Sequence, residues 1–258
     1  MNGFISAADA AHACPLIATT AGGLAQLLQD LGDAAQRWAQ AQGFSAQPGS
    51  SLCLPADNGA LSAVIVGVGH ADDLWSLAAL PLALPEGSYR LDARGLALQP
   101  AAVIIGWGLG AYQFNRYRKP ARAPARLALD LDAHGHAEAA ALLRASVLTR
   151  DLINTPTEHM GPEQLEAAAR GLAQAHGAQF NSIVGEALIS ERFPAIHAVG
   201  RASHRAPRLI ELNWGDVSHP RLAIVGKGVC FDTGGLDMKP ADGMRNMKKD
   251  MGGAAHAL

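Results

Sequence analysis

Residues 161–185 read GPEQLEAAARGLAQAHGAQFNSIVG, in which a helix pattern runs directly into a strand pattern. Pro162 lies in the first turn of the predicted helix and Gly177 lies just past its end, the positions at which these two residue types are favoured. The run AQFNSIVG (178–185) that follows is typical of a short strand. A helix that leads straight into a strand is the repeating unit of an α/β protein.

The same alternation continues toward the C-terminus. The short helical run EALISERF (186–193) precedes two more predicted strands, PRLIELNWG (207–215) and RLAIVGKG (221–228). Upstream, GHAEAAALLRASVLTRDLINTP (135–156) predicts a helix that ends before Pro156. We therefore expect mostly parallel sheets covered by helices.

The first half of the chain shows a similar pattern. The β-branched runs SAVIVGVG (62–69) and AAVIIGWG (101–108) end in glycine and predict buried strands. Between them, a helix is expected from Ala71 to about Leu80, stopping at Pro81.

The segment 115–140 separates the two halves. Its opening, rich in Arg, Pro and Ala, predicts an exposed strand or crossing segment before the next helix begins. We place a domain boundary near residue 135, which gives domains 1–135 and 136–258.

Composition excludes several classes of protein. The chain is 49% hydrophobic and 17% charged, which excludes an intrinsically disordered protein, and its net charge of −2 argues against a nucleic-acid or anionic-membrane surface. The cysteines Cys14, Cys53 and Cys230 form no CxxC pair and fit reduced thiols of the cytosol. No basic leader or membrane-length apolar run is present, so we expect a cytoplasmic protein without membrane contact.

Charge is concentrated in a glycine-rich stretch, VGKGVCFDTGGLDMKP (225–240), and continues to Asp250. Buried charge is costly unless it is paired or bound to a metal ion, and functional groups collect at the carboxyl edge of α/β sheets. Two readings remain open. Each aspartate pairs with a lysine in a polar turn, or the glycines let the backbone approach a small, densely liganded object.

This stretch, together with MKKDMGGAA (247–255), resembles the signature of the leucyl aminopeptidase family, the cytosolic two-metal aminopeptidases. Three further segments resemble the family: GWGLGAYQFNRYRK (106–119), RDLINTPTEHMGPEQL (150–165) and HAVGRASHRAPRLIELNWG (197–215). The resemblance covers about 106–258 and is looser over 1–100. It implies a small N-terminal α/β domain (1–135), followed by the first part (136–258) of a mixed-sheet, helix-covered catalytic domain like that of zinc peptidases.

The resemblance also implies metal ligands. Lys227 would ligate one metal ion through a deprotonated amine, which burial and a neighbouring dication both favour. Asp232 would bridge two metal ions. Asp250 would ligate the tighter-binding ion and face the α-amine of the substrate. This donor set suits Mn²⁺, Zn²⁺ or Mg²⁺.

Two further residues take roles from the resemblance. Lys239 would stay charged and polarise the scissile carbonyl or stabilise the oxyanion. Met247 would line the first side-chain pocket, with a simple core methionine as the alternative. Two metal ions about 3.5–4 Å apart would activate a water for attack on the peptide carbonyl. The implied substrates are peptides, trimmed one N-terminal residue at a time, and family members are typically homo-hexamers.

One departure from the family is marked. Its second ligand cluster, NTDAEGR, does not occur in residues 1–258. We therefore expect a truncated chain that holds part of the site and has little or no peptidase activity alone. The alternative function is a catalytically inactive product that acts as a binding or assembly module for a ligand, a partner or DNA.

Other enzyme classes find little support in the sequence. No HExxH, GxSxG or GxxxxGK[ST] motif is present, which argues against zincins, serine hydrolases and P-loop enzymes. The glycine-rich runs GVGHADD and GWGLG do not complete a GxGxxG motif, so nucleotide binding stays a weak alternative.

Overall fold

The fold is described by a computed structural model that covers residues 3–231 and 238–258. The chain divides into two compact units, Met1–Val147 and Leu148–Leu258. The division falls inside a helix, downstream of the boundary that the sequence suggested near residue 135. No helix among the described residues is long and apolar enough to span a membrane.

The N-terminal unit contains a six-stranded sheet flanked by helices. Its strands are Phe4–Ile5 (β1), Cys14–Thr19 (β2), Ser51–Pro55 (β3), Leu61–Gly67 (β4), Ser88–Asp92 (β5) and Arg126–Ala128 (β6). Its helices are Leu24–Leu31 (α1), Asp33–Ala41 (α2), Trp75–Ala78 (α3), Leu80–Ala83 (α4), Pro100–Ala111 (α5) and the first part of Ala137–Asn154 (α6). The strand order is β1-β6-β5-β2-β4-β3, and every pair is parallel except β3 with β4. The expected α/β class is confirmed, with one antiparallel edge strand.

The core of this unit lies on both faces of β2 and β4. Leu16 lies opposite Val64 in the sheet register, and both pack with α3, α4 and α5. Their neighbours Ile17 and Ile65 point to the other face and pack with α1 and α2. Side chains that alternate between faces, with both faces apolar, produce the continuous apolar runs of these two strands.

The prediction of a strand at AAVIIGWG (101–108) was wrong, because these residues lie in α5. A short apolar run that is buried on all sides has the same appearance in a strand and in a core helix. Pro100, in the first turn, was the available helix signal. The glycines serve close packing: a Cβ on Gly106 would collide with the carbonyl of Leu74, and one on Gly110 with the carbonyl of Ala78.

The single helix expected from Ala71 to Leu80 is instead two short helices, α3 and α4. Just before the first of them, the Asp73 carboxylate accepts a hydrogen bond from the Trp75 amide at 2.8 Å, as aspartates in turns do with the backbone two residues on. Pro81 does not stop the helical segment; it lies in the first turn of α4, where its missing N–H costs nothing.

The C-terminal unit begins within α6, which ends before Pro156 as expected. Its further helices are Pro162–His176 (α7), Ala187–Ser190 (α8), Pro194–Gly200 (α9), Ala241–Met244 (α10) and Gly252–Ala257 (α11), with 3-10 turns at Thr157–His159 and Met247–Lys249. Its described strands are Gln179–Val184 (β7) and Arg208–Asn213 (β8), which pair antiparallel. The opening helix–strand prediction is confirmed, and Gly177 ends α7 in the left-handed conformation at φ 65°.

The strand predicted at RLAIVGKG (221–228) is not observed. Residues 221–231 have no regular secondary structure, and Leu222, Ile224 and Val225 are exposed. A strand exists only where a neighbour takes its backbone hydrogen bonds, and the described residues place no such neighbour here. Apolar composition alone therefore overpredicted this element.

A buried ion pair links α7 to the antiparallel pair of strands β7 and β8. The carboxylate of Glu166 accepts hydrogen bonds from Arg208, from Arg170 at 2.6 Å and from Ser182 at 3.1 Å. Burial alone would raise the pKa of Glu166, but the hydrogen bonds from the two guanidinium groups and the hydroxyl outweigh it and lower the pKa. The charged form of Glu166 is therefore part of the folded structure.

Replacement Glu166→Gln tests this pair. A depressed carboxyl pKa contributes stability that is present above the unfolded-state pKa, about 4.3, and is lost as the pH falls through the folded-state value. Because Arg208 would be left buried without its partner, we expect Glu166→Gln to lower the free energy of unfolding by about 3–5 kcal/mol at pH 7. The loss should shrink below about pH 4.3, as measured by urea unfolding at several pH values. Asp242→Asn, in the exposed pair with Arg245, is the control and should change little; equal losses for both variants would contradict the assignment.

Candidate metal and catalytic site

The candidate site begins where two backbone segments cross. The amide of Ala254, in α11, donates a hydrogen bond to the carbonyl of Lys227 at 2.8 Å. A Cβ on Gly226 would lie 2.6 Å from the Cα of Ala254, and a Cβ on Gly253 would lie 2.9 Å from the Lys227 amide nitrogen. Real Cβ atoms do not approach this closely, so both glycines are needed for the crossing.

The crossing brings two predicted ligands together. Lys227 follows Gly226 directly, and Asp250 directly follows the 3-10 turn Met247–Lys249 that precedes α11. The Lys227 amine and the Asp250 carboxylate are in direct contact as an ion pair. The Lys227 side chain is 61% exposed and that of Asp250 is 30% exposed. The lysine is thus paired rather than deeply buried, which differs from the expectation of a buried charge at a strand end.

The other predicted site residues divide into two cases. The Lys239 amine, just before α10 in the sequence, lies 3.3 Å from the sulfur of Met247, which follows α10. Met247 is half-buried and begins the 3-10 turn that Asp250 follows. Asp232 lies outside the described residues, so its predicted bridging role stays a prediction. The described structure therefore pairs Lys227 with Asp250 and Lys239 with Met247.

Cys230 anchors the same segment by its side chain. It packs against the apolar cluster that contains Leu152, Met160, Leu165 and Met251. Burial raises the pKa of the Cys230 thiol to about 11, against a smaller opposite effect of Arg205 and Arg208. A protonated thiol is a poor metal ligand, so Cys230 acts here as a small apolar residue.

The donor chemistry of this site fits a divalent cation. An amine and a carboxylate already meet at one point, and exchange of the amine proton for a cation would keep both donors in place. Among residues 3–231 and 238–258, no group of three His, Cys, Asp or Glu side chains could hold a metal ion. Of the three predicted ligands, the described residues include Lys227 and Asp250, which are in contact.

Sequence reasoning missed Thr157, which contacts this segment, and Arg205, which contacts Thr157. The hydroxyl of Thr157 donates a hydrogen bond to the carbonyl of Phe231, 74 positions away. Arg205 in turn donates to the carbonyl of Thr157 at 2.5 Å. Local spacing carries no signal of such distant contacts.

Gly226→Ala tests the backbone crossing. The added methyl group meets backbone atoms that cannot rotate away, so we expect a loss of about 1–3 kcal/mol in the free energy of unfolding, measured by urea denaturation. Gly243→Ala is the matched control, because its Cβ would meet neighbours at 3.6 Å or more, an ordinary contact distance. An unchanged free energy for Gly226→Ala would mean that the two segments do not cross as described.

Comparison with known proteins follows the division of the chain. Residues 14–130 match a sequence model of the M17 aminopeptidase N-terminal domain, and residues 147–258 match that of the catalytic domain of the cytosol aminopeptidase family. A probable cytosol aminopeptidase of Corynebacterium glutamicum is 36% identical over 167 residues, which cover 61% of this chain and 33% of that protein.

Solved structures similar to this chain include one from the same family. A cytosol aminopeptidase from Coxiella burnetii superimposes with a TM-score of 0.85 at 40% identity, over 96% of this chain and 54% of that one. The bottromycin maturation enzyme BotP, solved in complex with Mn, gives a TM-score of 0.70 at 28% identity, over 95% of this chain and 54% of that one. The chain spans about half the length of these solved relatives and a third of the Corynebacterium protein. With both of its parts matched to one family, the chain belongs to the cytosol aminopeptidase family.

Proposed function

We propose that this chain carries part of the active site of a metal-dependent aminopeptidase that hydrolyses N-terminal amino acids from peptides. The observation that carries the proposal is the contact between Lys227 and Asp250, two residues far apart in sequence that both lie in the segments resembling the family signature. The family match favours a peptidase over the alternative of a binding or assembly module.

The proposed ligands are Lys227, Asp232 and Asp250, serving two divalent ions. Lys227 would give up a proton to become a ligand, Asp232 would be a further ligand, and Asp250 would both ligate and accept a hydrogen bond from the α-amine of the substrate. The manganese complex of BotP supports Mn²⁺ as the metal, and the donor set also suits Zn²⁺ or Mg²⁺. When bound, the ions supply Lewis-acid activation of water and of the peptide carbonyl.

Lys239 is the proposed catalytic residue that is not a ligand. Its ammonium group donates a hydrogen bond to the carbonyl oxygen of the scissile bond, where negative charge develops during attack. Met247 contacts the Lys239 amine and belongs to the 3-10 turn directly before Asp250. Both neighbours support the proposed place of Met247 beside the first side chain of the substrate.

The cellular location, substrates and assembly of the enzyme are proposed from its relatives. The name cytosol aminopeptidase, which the relatives carry, supports a cytoplasmic location, and peptides are the proposed substrates. A homo-hexamer is the proposed assembly, on the resemblance to the family. No nucleic-acid partner is proposed, because the net charge is only −2.

Catalysis can be tested with leucine p-nitroanilide. A reading frame that carries these 258 residues together with an in-frame NTDAEGR segment should release p-nitroaniline when Mn²⁺ is present, whereas the 258-residue chain alone should release little or none. In the active protein, Lys239→Ala should lower kcat by about 10²–10³-fold, because a donor to the developing oxyanion is lost, and should leave Mn²⁺ affinity unchanged.

Lys248→Ala is the matched control, since Lys248 is an exposed lysine of the same segment, and it should retain full activity. Equal rates for Lys239→Ala and Lys248→Ala would remove Lys239 from the mechanism. Full release of p-nitroaniline by the protein after exhaustive metal removal would contradict the metal-dependent reaction.

A further inference from the structure

We infer that Thr157 is a positioning residue for the metal site: its hydroxyl, held in place through Arg205, fixes the backbone segment 226–231 that carries Lys227. The inference rests on the proposed function and adds to it a residue with no predicted role at the site.

Hydrogen bonds to two of its backbone carbonyls help to position the segment 226–231. Residues 221–231 have no regular secondary structure, so no strand ladder with described residues holds them. Two backbone carbonyls of the segment are tethered instead. Lys227 accepts a hydrogen bond from the amide of Ala254 near one end, and Phe231 accepts one from the hydroxyl of Thr157 at the other.

Burial of Thr157 protects its hydrogen bond to the Phe231 carbonyl from competition by water. Thr157 is only 9% exposed, so water cannot readily replace the Phe231 carbonyl as partner of its hydroxyl. Loss of the hydroxyl would leave the carbonyl of Phe231 without this donor. The nearby thiol of Cys230 packs in the apolar cluster and offers only a weak polar substitute.

Arg205 holds Thr157 itself. Its guanidinium group donates to the Thr157 carbonyl at 2.5 Å, and to both the carbonyl and the carboxylate of Glu158 at 3.3 Å. A planar group with several donors in fixed directions restricts the 3-10 turn Thr157–His159 more than a single hydrogen bond would. The hydroxyl of Thr157 is therefore presented from a rigid support.

The hydrogen bond from Thr157 to Phe231 affects the proposed ligands because Phe231 lies between them in the sequence. Phe231 lies four residues after Lys227 and directly before Asp232, so the fixed carbonyl stands between two proposed ligands along the chain. Residues that orient metal ligands typically change metal affinity by about 10–100-fold when they are replaced.

The test compares Mn²⁺ binding by the 258-residue chain and three variants, measured by electron paramagnetic resonance of the free ion. Thr157→Val keeps the shape of the side chain but removes the donor, and we expect its dissociation constant to rise about 10–100-fold. Thr157→Ser keeps the hydroxyl and should bind like the unmodified chain. Ser182→Ala removes a comparable hydroxyl bond, to Glu166, and should leave Mn²⁺ affinity unchanged.

A second measurement separates positioning from general loss of stability. Hydrogen exchange of backbone amides in 226–231 should be faster in Thr157→Val than in the unmodified chain, and unchanged in Ser182→Ala. Unchanged Mn²⁺ affinity in Thr157→Val would overturn the inference, as would equal weakening by Thr157→Val and Ser182→Ala. Absence of Mn²⁺ binding by the unmodified chain would overturn the proposed metal site itself, a failure visible before any substitution is made.

Discussion

The close crossing of residues 226–228 with 252–254 is the constraint on which the candidate site depends. Two backbone segments of the chain are in direct contact there, with no side chain between them, because Gly226 and Gly253 have no Cβ. The crossing allows the Ala254 amide to reach the Lys227 carbonyl, and it places the Lys227 side chain against Asp250. Glycine costs conformational entropy on folding, and here that cost is offset by a geometry no other residue allows.

The two ion pairs of the C-terminal unit have different physical characters. Arg208 and Glu166 are 13% and 11% exposed, and additional hydrogen bonds surround the carboxylate, so this pair is a permanent part of the fold. Lys227 is largely exposed and its pair with Asp250 is open to solvent. An exposed pair contributes little to stability, so loss of the proton from the Lys227 amine on metal binding would cost the fold little. A site that must accept a metal ion benefits from that difference.

Much of the architecture could be predicted from sequence because local signals agreed with the final fold. Pro162 and Gly177 mark the ends of α7, and the β-branched run at 62–69 gives β4. The failures have a shared cause. The apolar run at 101–108 is buried on all sides as a helix, and the one at 221–228 is exposed and unpaired among the described residues. In both, the environment that decides the structure comes from other parts of the protein.

At the candidate site too, contacts between residues distant in sequence could not be predicted. The family signature identified Lys227, Lys239, Met247 and Asp250, and the structure adds which of them touch. Thr157 and Arg205 could not be found this way, because their contacts join positions 48 and 74 residues apart. Such contacts exist only after α7 and the turn before it have folded onto the unit.

The half-buried thiol of Cys230 gives this protein an internal reporter. With a pKa of about 11, only about one molecule in ten thousand carries the thiolate at pH 7, and apolar neighbours cover part of the side chain. Labelling of Cys230 by iodoacetamide should therefore become faster when the surrounding segment opens. A change in the rate of that labelling reports on opening of the backbone beside Lys227, and no cysteine has to be introduced for the measurement.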